Sequence, residues 1–69
     1  MDKQECEAWL KRQWPCTVWR DLYSSHWTAA AIVRTRLHLK GVSFFGRGKS
    51  PGEAFLDLVR VISEEVDNA

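Results

Sequence analysis

The sequence predicts an α+β domain in the order α-β-β-β-α, with two helices packed on one face of a three-stranded antiparallel sheet. Three observations carry this prediction. A capping pattern followed by apolar residues at helical spacing opens the chain. A stronger capping pattern and an amphipathic repeat close it. Between them lie runs of β-branched and aromatic residues separated by short turns. With 69 residues, the chain is expected to form one domain, spanning 1–69.

The first helix is predicted to begin after Asp2 and to end before Pro15. Asp2 is a favourable N-cap residue, and Glu5, three residues later, completes a capping-box pattern. Pro15 ends the helix because the residue before a proline is displaced from the α region. The residues at helical spacing, which predict the buried face, are Cys6, Trp9, Leu10 and Gln13.

Three strands are predicted between the helices. Residues 16–23 are rich in strand formers, and residues 24–26 supply a turn. The longest strand is predicted over residues 27–40, although three consecutive alanines leave its start open. Gly41 makes the next turn, and residues 42–45 form the return strand of a short hairpin.

From residue 32 onward, the second predicted strand alternates between apolar and basic positions. The residues predicted to face the helices are Val33, Thr35, Leu37 and Leu39. Those predicted to face away are Arg34, Arg36, His38 and Lys40. We expect these four to form a basic ridge about 20 Å long, suited to phosphate groups or to an acidic protein surface. The alternative is a solvated face that carries charge for solubility.

The second helix has the clearest local signal in the chain. Ser50 is the predicted N-cap, Pro51 takes the first helical position and Glu53 takes N3. The helix is predicted to run to about Val66, after a flexible loop over residues 46–49 whose glycines permit positive φ. Its apolar face is predicted to contain Ala54, Phe55, Leu58, Val59, Ile62 and Val66.

Charge and aromatic residues are distributed unevenly along the chain. Residues 15–50 carry six arginines or lysines and one aspartate, whereas residues 51–69 carry one arginine and five acidic residues. A basic sheet region and an acidic second helix are therefore expected. The four tryptophans are expected to form an aromatic core, with at least one left exposed. Phe44 and Phe45 are adjacent on a strand, so one should face away from the helices as a candidate interface anchor.

Several classes of function are disfavoured by the sequence. We expect no signal peptide and no membrane association, and two reduced cysteines in a cytoplasmic protein. The spacing of Cys6, Cys16, His26 and His38 is not that of a zinc site, and no P-loop is present, so neither a metal nor a cofactor is expected. Without a convincing acid–base pair, the chain is not expected to be an enzyme.

The second half of the chain resembles the end of a double-stranded RNA-binding domain. The residues that keep that family's spacing are Gly41, Gly46, Gly48, Ser50 and Ala54. The resemblance implies the α-β-β-β-α fold. It does not extend to the family's RNA contacts, since Pro51, Gly52 and Phe55 stand where that family has lysines.

The short, tryptophan-rich chain is also similar in style to small accessory proteins of bacteriophages, among them the anti-CRISPR proteins. Our first hypothesis is therefore a non-enzymatic binding or inhibitor protein that engages a host protein or ribonucleoprotein. The second is a nucleic-acid-binding module, and the third is a homodimer in which the basic sheet of one copy meets the acidic helix of another. The predicted binding residues are Arg34, Arg36, His38, Lys40, Phe44, Phe45, Arg47 and Lys49.

Overall fold

The computed structural model describes residues 2–34 and 39–67, and it confirms the predicted fold class and order of elements. The elements are α1 (Lys3–Gln13), β1 (Cys16–Arg20), β2 (Trp27–Val33), β3 (Val42–Gly48) and α2 (Pro51–Asp67). The three strands form one antiparallel sheet in the order β1-β2-β3. Helix α2 packs against the sheet, chiefly on β3 and β2, and α1 packs against α2.

Both predicted helix N-caps are present. The side chain of Asp2 accepts a hydrogen bond of 2.8 Å from the backbone N–H of Glu5. The hydroxyl of Ser50 accepts one of 3.2 Å from the N–H of Glu53. The Glu53 carboxylate accepts from the N–H of Lys49 at 2.9 Å, whereas in a capping box it would bond to the N-cap residue itself. This carboxylate therefore ties the end of β3 to the start of α2.

The core consists of aliphatic residues around one phenylalanine. The largest fully buried side chains are Phe55, Leu10, Leu58, Val33 and Cys6, contributed by both helices and by β2. Contrary to the prediction, the tryptophans do not form the centre of the core: Trp9, Trp14 and Trp27 are half-buried at its margin. Trp19 is exposed, in agreement with the expectation that at least one tryptophan would be. Four large indole rings do not fit among alanines and short aliphatic side chains in a domain of this size.

The predicted flexible loop over residues 46–49 is also wrong, because β3 continues through Gly48. Neither Gly46 nor Gly48 has positive φ; among the glycines only Gly41, at the predicted turn, does, with φ 91°. A Cβ at Gly46 would lie 2.3 Å from the backbone nitrogen of Leu58. The absence of a side chain at Gly46 therefore allows α2 to approach β3 closely.

Two strands end earlier than predicted. Strand β1 ends at Arg20, before Tyr23, and β2 ends at Val33, before Lys40. The last pair between β2 and β3 is Val33 with Val42, next to the Gly41 turn. Leu39, predicted to face the helices, lies in a turn and is 79% exposed. The predicted strand positions that lie outside the described residues are Thr35, Arg36, Leu37 and His38.

Candidate functional site: the open face of the sheet

The face of the sheet that α2 does not cover is the candidate site, and we call it the open face. Side chains alternate along each strand, so the buried Ala29, Ala31 and Val33 point toward the helices and their neighbours point away. The strand register extends this assignment to β1 and β3. The residues of the open face are Thr17, Trp19, Thr28, Ala30, Ile32, Ser43, Phe45 and Arg47.

An apolar patch occupies the middle of the open face. Trp19, Ile32 and Phe45 are exposed by 41%, 45% and 53%, and they come from three different strands. The rings of Trp19 and Phe45 meet edge to face across β2, with centroids 6.4 Å apart and planes at 80°. The small Ala30 on β2, paired with Phe45, leaves room for this contact. We call these four residues the aromatic patch: Trp19, Ala30, Ile32 and Phe45.

An ion pair borders the aromatic patch on one side. A guanidinium nitrogen of Arg47 lies 2.6 Å from a carboxylate oxygen of Asp21. Asp21 also accepts hydrogen bonds from the hydroxyls of Ser24 and Thr28, at 3.3 and 3.4 Å. The hydrogen bond from Arg47 is the main cause that lowers the pKa of Asp21. The charge of Arg47, predicted to extend the basic ridge, is therefore balanced by a carboxylate 26 residues away.

The other predicted cationic residues are divided among several places. Arg34 directly follows β2 and Lys40 lies in the turn before β3, and both are exposed at the end of the sheet near Ile32. Lys49 is exposed beyond the opposite end of β3. The predicted basic ridge does not lie along β2, because β2 ends at Val33, before Arg34. Arg36 and His38, the middle residues of the predicted ridge, lie outside the described residues.

The two adjacent phenylalanines separate as predicted. Phe44 is half-buried and packs against the core, while Phe45 points to the open face. Trp19 and Ile32 belong to the same surface but were not predicted as site residues. The exposure of Ile32 could have been predicted, because Ile32 lies two residues before Arg34 and alternate residues of a strand point to the same side. Trp19 had no comparable signal, since residues 16–21 show no alternation of apolar and basic positions that would mark its side of the strand as exposed.

Among the residues that the structure describes, the other reactive side chains are not grouped together. Cys6 and Cys16 are not bonded to each other, and burial raises the pKa of both thiols, which makes them weak nucleophiles. Within residues 2–34 and 39–67, no three His, Cys, Asp or Glu side chains are grouped closely enough to hold a metal ion. In the same ranges, neither helix has the length and apolar character needed to cross a membrane.

Comparison with known proteins adds no relative. No protein-family model matches the chain, and neither a curated protein nor a solved structure is significantly similar to it. The observed order of elements is compatible with the topology of a double-stranded RNA-binding domain.

Proposed function

We propose that this chain is a non-enzymatic protein-binding module whose open face docks onto a partner protein. The observation that carries the proposal is the joint exposure of Trp19, Ile32 and Phe45 on the sheet face left uncovered by the helices. Apolar side chains grouped in this way are typical of interaction sites, and aromatic residues supply much of the binding energy at such sites. The Trp19–Phe45 contact holds both rings in place, which lowers the entropy lost on binding.

The charges around the aromatic patch indicate the chemistry of the partner. Arg34 and Lys40 lie at the end of the sheet near Ile32, and Arg47 lies at the other end against Asp21. Helix α2, on the opposite side of the sheet, carries most of the acidic residues. A partner surface with apolar side chains beside carboxylates fits the open face, and the same carboxylates are repelled by the helix side.

The proposed mode of action is stoichiometric binding. The chain would occupy a surface of a host protein or ribonucleoprotein and block or recruit it. The likeness to small bacteriophage inhibitors supports this role, which needs only a stable surface and no catalytic groups.

The structure gives less support to the nucleic-acid alternative. Arg47 is paired with Asp21, and α2 begins with Pro51 and Gly52 instead of basic residues. In the edge-to-face contact between Trp19 and Phe45, the edge of one ring covers a face of the other. This leaves less ring surface on which a base could stack. Nucleic-acid binding is therefore the second candidate function, and the following experiment distinguishes it from protein binding.

The experiment compares two variants of matched exposure. The double variant Ile32→Thr/Phe45→Thr keeps strand-forming residues and removes two of the three exposed large side chains of the aromatic patch. The control Leu56→Gln changes a side chain of α2 that is 41% exposed, close to the 45% of Ile32. Each protein is immobilised and exposed to a lysate of the cells in which it occurs, once with and once without nuclease treatment. A partner captured by the wild type is then purified, and its affinity for each variant is measured.

We expect the double variant to bind the partner at least about tenfold more weakly, whereas Leu56→Gln binds like the wild type. Equal affinity of the double variant, or loss of binding in Leu56→Gln, would place the interface elsewhere and refute the proposal. Capture that disappears with nuclease, together with salt-dependent oligonucleotide binding that Arg34→Glu weakens, would establish the nucleic-acid alternative instead.

A further inference from the structure

The two edges of the sheet differ in how their outward backbone groups are used. On the β3 edge, the N–H of Arg47 donates to the Asp57 carboxylate at 3.0 Å. The N–H of Lys49 donates to the Glu53 carboxylate at 2.9 Å. Both acceptors belong to α2, which therefore blocks this part of the β3 edge against another strand.

The hydrogen bonds that flank β1 show which of its groups point outward. The N–H of Ile32 donates to the carbonyl of Pro15 at 3.1 Å, and the N–H of Asp21 donates to the carbonyl of His26 at 3.0 Å. In an antiparallel ladder the bonded pairs recur at every second residue, so Thr17 and Trp19 bond to β2. The residues whose N–H and C=O groups point away from β2 are then Cys16, Val18 and Arg20.

The outward edge of β1 is uncovered in the described structure. Across residues 2–34 and 39–67, no hydrogen bond outside the sheet ladder reaches the backbone N–H or C=O of Cys16, Val18 or Arg20. The edge also has no proline within the strand and only one charged residue, at its end. Such an edge accepts an additional antiparallel strand readily.

We propose that two copies of this chain pair through β1 about a twofold axis, forming one continuous six-stranded sheet. The register with full overlap places Val18 opposite Val18 of the second copy and Cys16 opposite Arg20. Each of these pairs exchanges both N–H···O bonds. A register centred on Arg20 would instead place two arginines opposite each other and lose most of the overlap, which disfavours it.

The same register brings the two open faces together. Trp19 then lies opposite Thr17 of the second copy, and the two Trp19 side chains become diagonal neighbours about 7–8 Å apart, within reach of indole rings. The two aromatic patches join into one surface of twice the size. With a net charge of only +1 per chain, long-range repulsion between the copies is small.

This dimer differs from the contact between basic sheet and acidic helix that the charge distribution suggests. A contact between the sheet of one copy and the helix of another joins two different surfaces and depends on charge, so it weakens with salt. Pairing through β1 closes at two copies and depends on backbone hydrogen bonds and apolar contact. The pairing of two copies through β1 does not depend on which partner protein the open face binds.

The test uses the fact that residue 18 faces itself across the twofold axis. Val18→Lys and Val18→Glu each place like charges opposite each other, and both variants should be monomeric. An equimolar mixture should recover the dimer, because lysine then faces glutamate. Ser43→Lys is the control: it adds the same charge at an exposed position of β3, the strand farthest from the axis, so the dimer should persist. Mass is measured by sedimentation equilibrium from about 10 μM to about 1 mM, and folding by circular dichroism.

A charge at the half-buried Val18 could unfold the chain, so a second variant tests the same edge without adding a charge. A chain of 69 residues can be made by chemical synthesis, and methylation of the Val18 nitrogen removes only an outward donor. This variant should fold and remain monomeric. The proposal is overturned if the wild type is monomeric up to about 1 mM, or if the folded Val18 variants dimerise like the wild type. It is equally overturned if the mixture of Val18→Lys and Val18→Glu stays monomeric.

Discussion

At the scale of the residue, Gly46 decides how closely the second helix can approach the sheet. A Cβ at this position would lie 2.3 Å from the nitrogen of Leu58 and 2.5 Å from the carbonyl oxygen of Ala54. Both are backbone atoms, which cannot move aside as a flexible side chain can. Since α2 contributes Phe55 and Leu58 to the core, a shift of α2 would disturb the whole interior.

We predict that Gly46→Ala lowers the free energy of unfolding by about 3 kcal/mol or more, because the methyl group overlaps the backbone of α2. Gly52→Ala is the control, since its Cβ would meet mainly the side chain of Lys3 and alanine favours helix. It should change stability by no more than about 1 kcal/mol. Urea unfolding followed by tryptophan fluorescence measures both values; equal stability of the two variants would contradict this account.

At the scale of the element, two carboxylates of α2 connect the helix to the edge of β3. Glu53 and Asp57 lie four residues apart, on one face of the helix, and accept from the N–H groups of Lys49 and Arg47. These backbone hydrogen bonds are the main cause that lowers the pKa of each carboxyl. The acidic helix thus has a structural role beside its effect on the surface potential.

Because the pKa values of Glu53 and Asp57 are lowered in the folded state, the free energy of unfolding depends on pH in the acidic range. A carboxyl whose pKa is lower in the folded state stabilises the fold above its unfolded pKa, ordinarily 3.8 for Asp57 and 4.5 for Glu53. This contribution is lost as the pH falls through the folded pKa. We therefore predict that the free energy of unfolding declines from about pH 5 downward.

The variant Asp57→Asn tests the part played by Asp57. It should be less stable than the wild type by about 1 kcal/mol at pH 7, because an amide is a weaker acceptor than a carboxylate. Its stability should also fall less between about pH 5 and about pH 2. The control Glu65→Gln, at an exposed position of α2, should keep the acid dependence of the wild type. An identical acid dependence in Asp57→Asn would show that the contact with β3 contributes nothing.

At the scale of the whole molecule, the fold is a two-layer structure with one side left open. The helices cover one face of the sheet, and the other face retains the aromatic patch. A chain this short has few residues left to cover a second face. Its stability therefore depends on a small core, while its open face remains available for binding.

We predict that Phe55→Ala lowers the free energy of unfolding by about 3–5 kcal/mol. A single core in a chain of this length rarely supplies more than about 3–5 kcal/mol, so much of the variant should be unfolded at about 37 °C. Tyr23→Ala is the matched aromatic control, since Tyr23 is fully exposed whereas Phe55 is fully buried. Thermal unfolding followed by circular dichroism should show no shift for Tyr23→Ala. A small shift for Phe55→Ala would mean that the core does not control stability.

Local sequence patterns predicted the order of elements, both helix caps, the Gly41 turn and the opposite orientations of Phe44 and Phe45. Each depends on residues close together in the chain, where capping preferences and strand alternation act directly. For the candidate site, this local information predicted that one of Phe44 and Phe45 would be exposed and that Arg47 would be a binding residue, but it did not say which phenylalanine faces outward.

The other features of the fold and of the open face depend on contacts between residues that are far apart in the chain. The end of β2 at Val33 depends on where its partner strands stop, and the role of Gly46 depends on a helix packed against it. The pairing of Arg47 with Asp21 and the contact of Trp19 with Phe45 each join residues 26 positions apart. Spacing along the chain does not contain such contacts, because they arise only when the strand register places distant residues side by side.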